Sequence, residues 1–148
     1  MAIAGKVDRK GYQVFVLLSD GESDEGAVWE GAMAASHYRL DNLIAIVDRN
    51  RLQVDGWTKD VMSSEPLTDK WRSFGWFVQE IDGHDMHEIL HALCVATATR
   101  ERPAVIIANT VKGKGVSFME NSVDWHYGGL TAEAATQALR ELELADRG

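Results

Sequence analysis

Two apolar runs in this chain each end in oxygen-bearing side chains. Val14-Phe15-Val16-Leu17-Leu18 leads into Ser19-Asp20-Gly21-Glu22, and Leu43-Ile44-Ala45-Ile46-Val47 leads into Asp48-Arg49-Asn50-Arg51-Leu52. A carboxylate, an amide oxygen and a backbone carbonyl are hard donors of the kind magnesium takes in near-octahedral geometry, with phosphate and water filling the other positions. Asp20 and Asn50 supply the first two, and the carbonyl of Leu52 fits the third. Gly21 has no Cβ, so backbone N–H groups can approach phosphate oxygens where a helix N-terminus offers free N–H groups of its own. These residue types suit a magnesium ion and a diphosphate held together. Asp-Gly is also a plain turn signal and recurs at Asp55-Gly56 and Asp82-Gly83, so spacing alone leaves a turn and a metal site both open.

The elements that must position these groups follow from periodicity. Both runs are short, continuously apolar and partly β-branched, which predicts buried parallel strands. Residues 25–38 have the length and composition of a helix, with Val28, Trp29, Ala32, Met33 and Ser36 on one stripe. Right-handed crossovers place the C-terminal ends of such strands on one sheet edge, where ligands of open α/β folds bind. Asp20 and Asn50 then sit side by side. Residues 77–81 and 104–108 predict two further strands, separated by a helix over 86–100. Asp85 caps that helix, and Glu88 three residues later completes a capping-box-like pair. Residues 131–144 predict a last helix capped by Thr131, with Ala135, Ala138, Leu139 and Leu142 along one stripe. The predicted class is α/β, a doubly wound, mostly parallel sheet with helices on both faces, in one domain over 1–148.

Composition excludes several functions. A formal net charge of −8 argues against general nucleic-acid binding, which rests on basic clusters that neutralise phosphate. The apolar runs fall far short of the ~20 residues of a membrane span. Residues 1–10 carry four charges and no apolar stretch suited to secretion, which predicts a cytoplasmic chain. Cys94 is the single cysteine and reads as a small buried residue of the helix over 86–100. Trp29, Trp71 and Trp76 sit within apolar patterns and read as core or interface. His84, His87 and His91 have spacing that can gather imidazoles for zinc, but His84 precedes the predicted helix and no carboxylate or cysteine closes a set. Lys112-Gly113-Lys114-Gly115 lacks the Walker spacing and reads as a loop beside the strand edge.

Residues 14–56, VFVLLSDGESDEGAVWEGAMAASHYRLDNLIAIVDRNRLQVDG, strongly resemble the thiamine-diphosphate motif of transketolases, which reads Gly-Asp-Gly, about thirty residues, then Asn. Residues 61–83 (VMSSEPLTDKWRSFGWFVQEIDG) and 110–127 (TVKGKGVSFMENSVDWHY) resemble the following parts of the N-terminal subunit of split transketolases, whose enzyme is encoded as two chains. The resemblance implies thiamine diphosphate and Mg2+ as cofactors. It implies transfer of a two-carbon ketol unit from a ketose phosphate to an aldose phosphate. An oligomeric assembly with a separate C-terminal, pyrimidine-binding subunit is implied with it.

By resemblance, Asp20, Asn50 and the carbonyl of Leu52 are the magnesium ligands, and Gly21 and Glu22 belong to the diphosphate loop. Val54 stands beside the cofactor ring, Glu25 joins a proton-sharing network at the subunit interface, and His126 lies near the diphosphate and the reacting carbon. Ser19 departs from the family's first glycine, adding a hydroxyl that either crowds the loop or donates one more hydrogen bond. Tyr127-Gly128-Gly129 departs from the His-Gly expected after His126. Against the family pattern the chain lacks roughly the first hundred residues, more than half of one ordinary domain. The same loop also suits a deoxyxylulose-phosphate synthase, a 2-oxo-acid dehydrogenase subunit or a noncatalytic module that pairs with a transketolase partner.

Overall fold

The computed structural model describes residues 1–145. In chain order the elements are α1 (Ala2–Val7), β1 (Val14–Ser19), a 3-10 turn (Gly21–Asp24), α2 (Gly26–His37) and β2 (Leu43–Arg49). There follow the short β3 (Leu52–Gln53) and β4 (Gly56–Trp57), then α3 (Thr58–Val61), α4 (Leu67–Ser73) and β5 (Phe77–Asp82). α5 (Met86–Ala98), β6 (Ala104–Asn109), a second 3-10 turn (Val123–His126) and α6 (Ala132–Ala145) complete the set. β1, β2, β6 and β5 lie in that order in a four-stranded parallel sheet, and β3 pairs antiparallel with β4.

Alternation along the strands divides the core. Ala45, Val47, Val105 and Ile107 meet Ala32 and Ala35 of α2 and Leu67 and Trp71 of α4 on one face. Ile44, Ala104 and Ile106 meet Ala92 and Ala96 of α5 on the other. Helices therefore cover both faces, as the doubly wound reading requires. Trp71 and Trp76 are buried core residues packed edge to face at 4.8 Å, and Trp76 Nε1–H donates to Ala32 O at 3.0 Å.

Four expectations need correction. β1 is not buried: it is the sheet's outer strand, and Phe15, Val16 and Leu17 are 51%, 37% and 71% exposed. An apolar run has the same period whether its strand is central or at an edge. The buried stripe of α2 runs through Ala32 and Ala35 and leaves Met33 exposed, because alanines let the helix approach the sheet. Cys94 is exposed, since α5 turns Ala92 and Ala96 inward and Cys94 falls between them on the outer side. In α6 Ala138 is buried while Leu139 and Leu142 are exposed.

The cap of α5 forms as predicted, with the Asp85 carboxylate accepting from His87 N–H and Glu88 N–H. Glu88 differs. Its carboxylate accepts from Asp82 N–H at 2.8 Å, tying the end of β5 to the helix. Thr131 Oγ1 accepts from Ala134 N–H at 3.2 Å at the start of α6.

Candidate functional site

Ser19 of β1 pairs with Asp48 of β2, and Asp20 N–H donates to Asp48 O at 3.1 Å. The crossover therefore brings Asp20 beside residues 50–52, as its hand requires. Asp20 is 1% exposed. Its Oδ2 accepts Arg51 N–H at 2.6 Å, whereas its Oδ1 is buried and has no partner. Burial pushes the Asp20 carboxyl above its usual range; the N–H groups of Arg51 and Gly21 offset part of this and the Asp48 charge adds to it. A buried carboxylate oxygen without a donor is costly unless a cation meets it. The donor set fits magnesium on this ground.

Asn50 is held on both sides of its amide. Nδ2 donates to Asp48 Oδ2 at 3.2 Å, and Oδ1 accepts Leu52 N–H at 2.9 Å with a second lone pair left over. The other Asp48 oxygen accepts the Thr110 hydroxyl from the loop after β6. Arg51 adopts φ +65°, a left-handed backbone that an arginine rarely takes. That turn delivers Arg51 N–H to Asp20 and Leu52 N–H to Asn50. Sequence reading misses Arg51, because arginine carries no signal for this conformation.

The Ser19 departure has a structural explanation. Glu22 N–H donates to Ser19 Oγ at 3.2 Å, and Ser19 N–H and the Ser19 hydroxyl both donate to Glu22 Oε2, at 2.7 and 3.1 Å. This is a Ser-x-x-Glu capping box on the 3-10 turn. The hydroxyl is engaged within the loop, and so is the Glu22 carboxylate. The spacing was visible in the sequence. Trp29, stacked between Trp71 and Phe74, fastens the turn to α2 by donating Nε1–H to Ser23 O at 2.7 Å. Gln53 Nε2 donates to Asp24 at 2.7 Å, and a Cβ on Gly21 would lie 3.2 Å from Gln53 Cγ.

A cleft of about 500 Å3 opens above these groups. Gly21, Glu22, Glu25, Asn50, Leu52, Val54 and His126 line it, so every predicted site residue except the more deeply buried Asp20 reaches its wall. His126 comes from the second 3-10 turn, and its Nδ1 is buried without a partner. Lys112 also lines the cleft. Sequence reading gave it no role, although it placed its loop near the edge; an ammonium there supplies positive charge for an anion. His84 is not a ligand: its Nε2 accepts Val111 N–H at 2.8 Å. Among the described residues no three His, Cys, Asp or Glu side chains gather to hold a metal.

Arg49 braces the site from behind. Its guanidinium, 16% exposed, donates to Glu65 at 2.8 Å, to Asn109 Oδ1 at 2.7 Å and to Glu80 at 3.4 Å. Burial pulls the Glu65 carboxyl up, but Leu67 N–H and Arg49 outweigh it and hold the group below its usual range. Glu80 is also lowered, chiefly by the Asn109 amide.

Residues 4–146 match the model of the transketolase thiamine diphosphate binding domain. One of the two subunits of an apulose-4-phosphate transketolase from Phocaeicola vulgatus is 47% identical over 142 residues, 96% of this chain and 50% of that protein. The 6-deoxy-6-sulfo-D-fructose transketolase subunit SqwG of Clostridium sp. (strain MSTE9) is 47% identical over 143 residues, 97% of this chain and 52% of that protein. The crystal structure of transketolase from Campylobacter jejuni superposes with a TM-score of 0.89 at 29% identity, covering 96% of this chain and 23% of that one. The chain thus spans about half the length of the subunit relatives it matches. Its strand order, its Asp20-Asn50 pair and these similarities agree: the chain belongs to the transketolase family, as a thiamine diphosphate-binding domain with magnesium as the companion cofactor.

Proposed function

We propose that this chain supplies the magnesium and diphosphate half of a split transketolase that moves a two-carbon ketol unit from a ketose phosphate to an aldose phosphate. The observation that carries the reading is the buried, unpartnered Oδ1 of Asp20 beside Asn50 and Leu52 at the sheet edge. Asp20, Asn50 and the Leu52 carbonyl hold the cation, and the backbone at Gly21 meets the diphosphate. Glu22 acts through its box with Ser19, which fixes the loop before any ligand arrives. Lys112 adds a positive charge to the same wall.

When bound, thiamine diphosphate supplies the carbon that takes up the ketol unit; the protein supplies anchoring, orientation and charge. Val54, 43% exposed in the cleft, offers an apolar contact to the cofactor ring. His126 holds or moves a proton at its ring nitrogens beside the sugar phosphate, a role suited to an imidazole. Glu25 reaches toward the subunit interface and shares a proton across it. The pyrimidine-binding half comes from a separate C-terminal subunit, in a hetero-oligomer or paired with a second copy, and phosphorylated sugars place the work in the cytoplasm.

The test is calorimetric titration of thiamine diphosphate with magnesium into the chain, alone and mixed with a transketolase C-terminal subunit, followed by a ketol-transfer assay. Turnover only in the mixture is expected. Absence of cofactor binding in both samples contradicts the proposal and favours a noncatalytic module.

A further inference from the structure

Residues 112–122 run from the end of β6 toward the turn that carries His126, and the chain closes on itself there. Asn121 N–H donates to Lys112 O at 3.0 Å, Val116 N–H to Gly113 O at 3.1 Å and Met119 N–H to Val116 O at 2.9 Å. This is a compact loop whose ends are joined, with Val116 buried beneath it. Gly113 has φ +73°, and a Cβ on it would lie 2.6 Å from Met119 O. The base of the loop presents Lys112 to the cleft.

The tip of the loop is held by α6. Glu141 Oε2 accepts Ser117 N–H at 2.6 Å and Glu141 Oε1 accepts the Ser117 hydroxyl at 2.9 Å, while Gln137 Nε2 donates to the same Oε1 at 3.0 Å. Gly115, at φ +90°, lies so close to α6 that a Cβ would be 3.0 Å from Leu142 Cδ2. Both oxygens of one carboxylate therefore meet both donors of one loop residue, and neither Glu141 nor Ser117 lines the cleft.

We propose that Glu141 is a positioning residue: by clasping Ser117 through both carboxylate oxygens it seats the 112–122 loop on α6, so that Lys112 and His126 face the cleft. The inference rests on the diphosphate reading of that cleft. The clasp works by hydrogen bonding rather than by charge at the ligand. Glutamine can reproduce it, with Oε1 accepting Ser117 N–H and Nε2 donating to the hydroxyl, since a hydroxyl both donates and accepts. Alanine cannot.

The experiment compares the wild-type chain with Glu141→Ala, Glu141→Gln and Ser117→Ala by amide exchange over residues 112–122, by titration with magnesium pyrophosphate and by the NMR signals of the His126 ring. Glu141→Ala should speed exchange in the loop about tenfold, with the core strands unchanged. It should weaken pyrophosphate binding about fivefold to tenfold, the scale of ordinary coupling between separated sites. The His126 ring signals should shift. Glu141→Gln should return all three readouts to within about twofold of wild type, and Ser117→Ala should fall between. Wild-type exchange rates in Glu141→Ala would overturn the clasp, and a loosened loop with unmoved His126 signals and unchanged affinity would overturn the positioning role. A wild-type chain that ignores pyrophosphate counts against the cofactor reading instead, and the exchange and His126 signals then decide the clasp.

Discussion

Asp20→Asn should have opposite effects on folding and on cation binding. In the free chain Asp20 is 1% exposed, one oxygen accepts Arg51 N–H at 2.6 Å, and the other has no partner. An unsatisfied buried polar atom costs about 1–3 kcal/mol, and more when it is charged. Asparagine keeps an oxygen for Arg51 and removes the charge that faces Asp48. Neutralising the site should therefore raise the stability of the free chain by about 1–2 kcal/mol. With a denaturant slope near 2 kcal/mol/M, the urea midpoint should rise by about 0.5–1 M. The same substitution takes the one charged ligand from the cation. Manganese affinity, read by electron paramagnetic resonance with pyrophosphate present, should fall at least about 100-fold, or roughly 2.7 kcal/mol. Equal or lower stability together with unchanged manganese affinity would refute the reasoning, because the unpaired oxygen would then be neither a burden to the fold nor a ligand.

Other substitutions test the supporting structure. Ser19→Gly restores the family residue but removes the hydroxyl of the capping box, and should lower stability by about 0.5–1 kcal/mol, with faster amide exchange over residues 19–25. Trp71→Ala removes a core side chain that is 1% exposed, and should cost about 3–5 kcal/mol in chemical denaturation. Glu65 and Glu80 have lowered pKa values in the fold, so their contribution is present above the ordinary carboxylate range and is lost as the pH falls through their lowered values. Both side chains are more than two-fifths exposed, which limits the loss to about 0.5–1 kcal/mol after screening. Arg49→Met should flatten that part of the stability–pH curve.

The strand order followed from the sequence wherever a residue's period coincided with its surroundings. β2 and β6 are apolar throughout and buried on both faces, so composition and position agree. β1 has the same composition at the edge of the sheet, and no periodicity separates the two cases. Asp20 and Asn50 were visible because oxygen donors follow two parallel strands. The groups that hold them were not. Arg51 acts through a left-handed backbone, Asp48 through a hydrogen bond to the Asn50 amide, and Glu141 across more than twenty intervening residues. Each of these depends on distance in space rather than on residue type. Cys94 shows the same limit, since two positions along α5 separate its exposed side from the buried Ala92 and Ala96.

The claim that Asp20, Asn50 and Leu52 form the cation site is tested most directly by anomalous diffraction from crystals grown with manganese and thiamine diphosphate. The account predicts one strong peak at about 2.0–2.2 Å from Asp20 Oδ1, Asn50 Oδ1 and the Leu52 carbonyl oxygen, with diphosphate oxygens completing the shell. A peak elsewhere, or cofactor density whose diphosphate lies away from Gly21 with no metal beside Asp20, would contradict it.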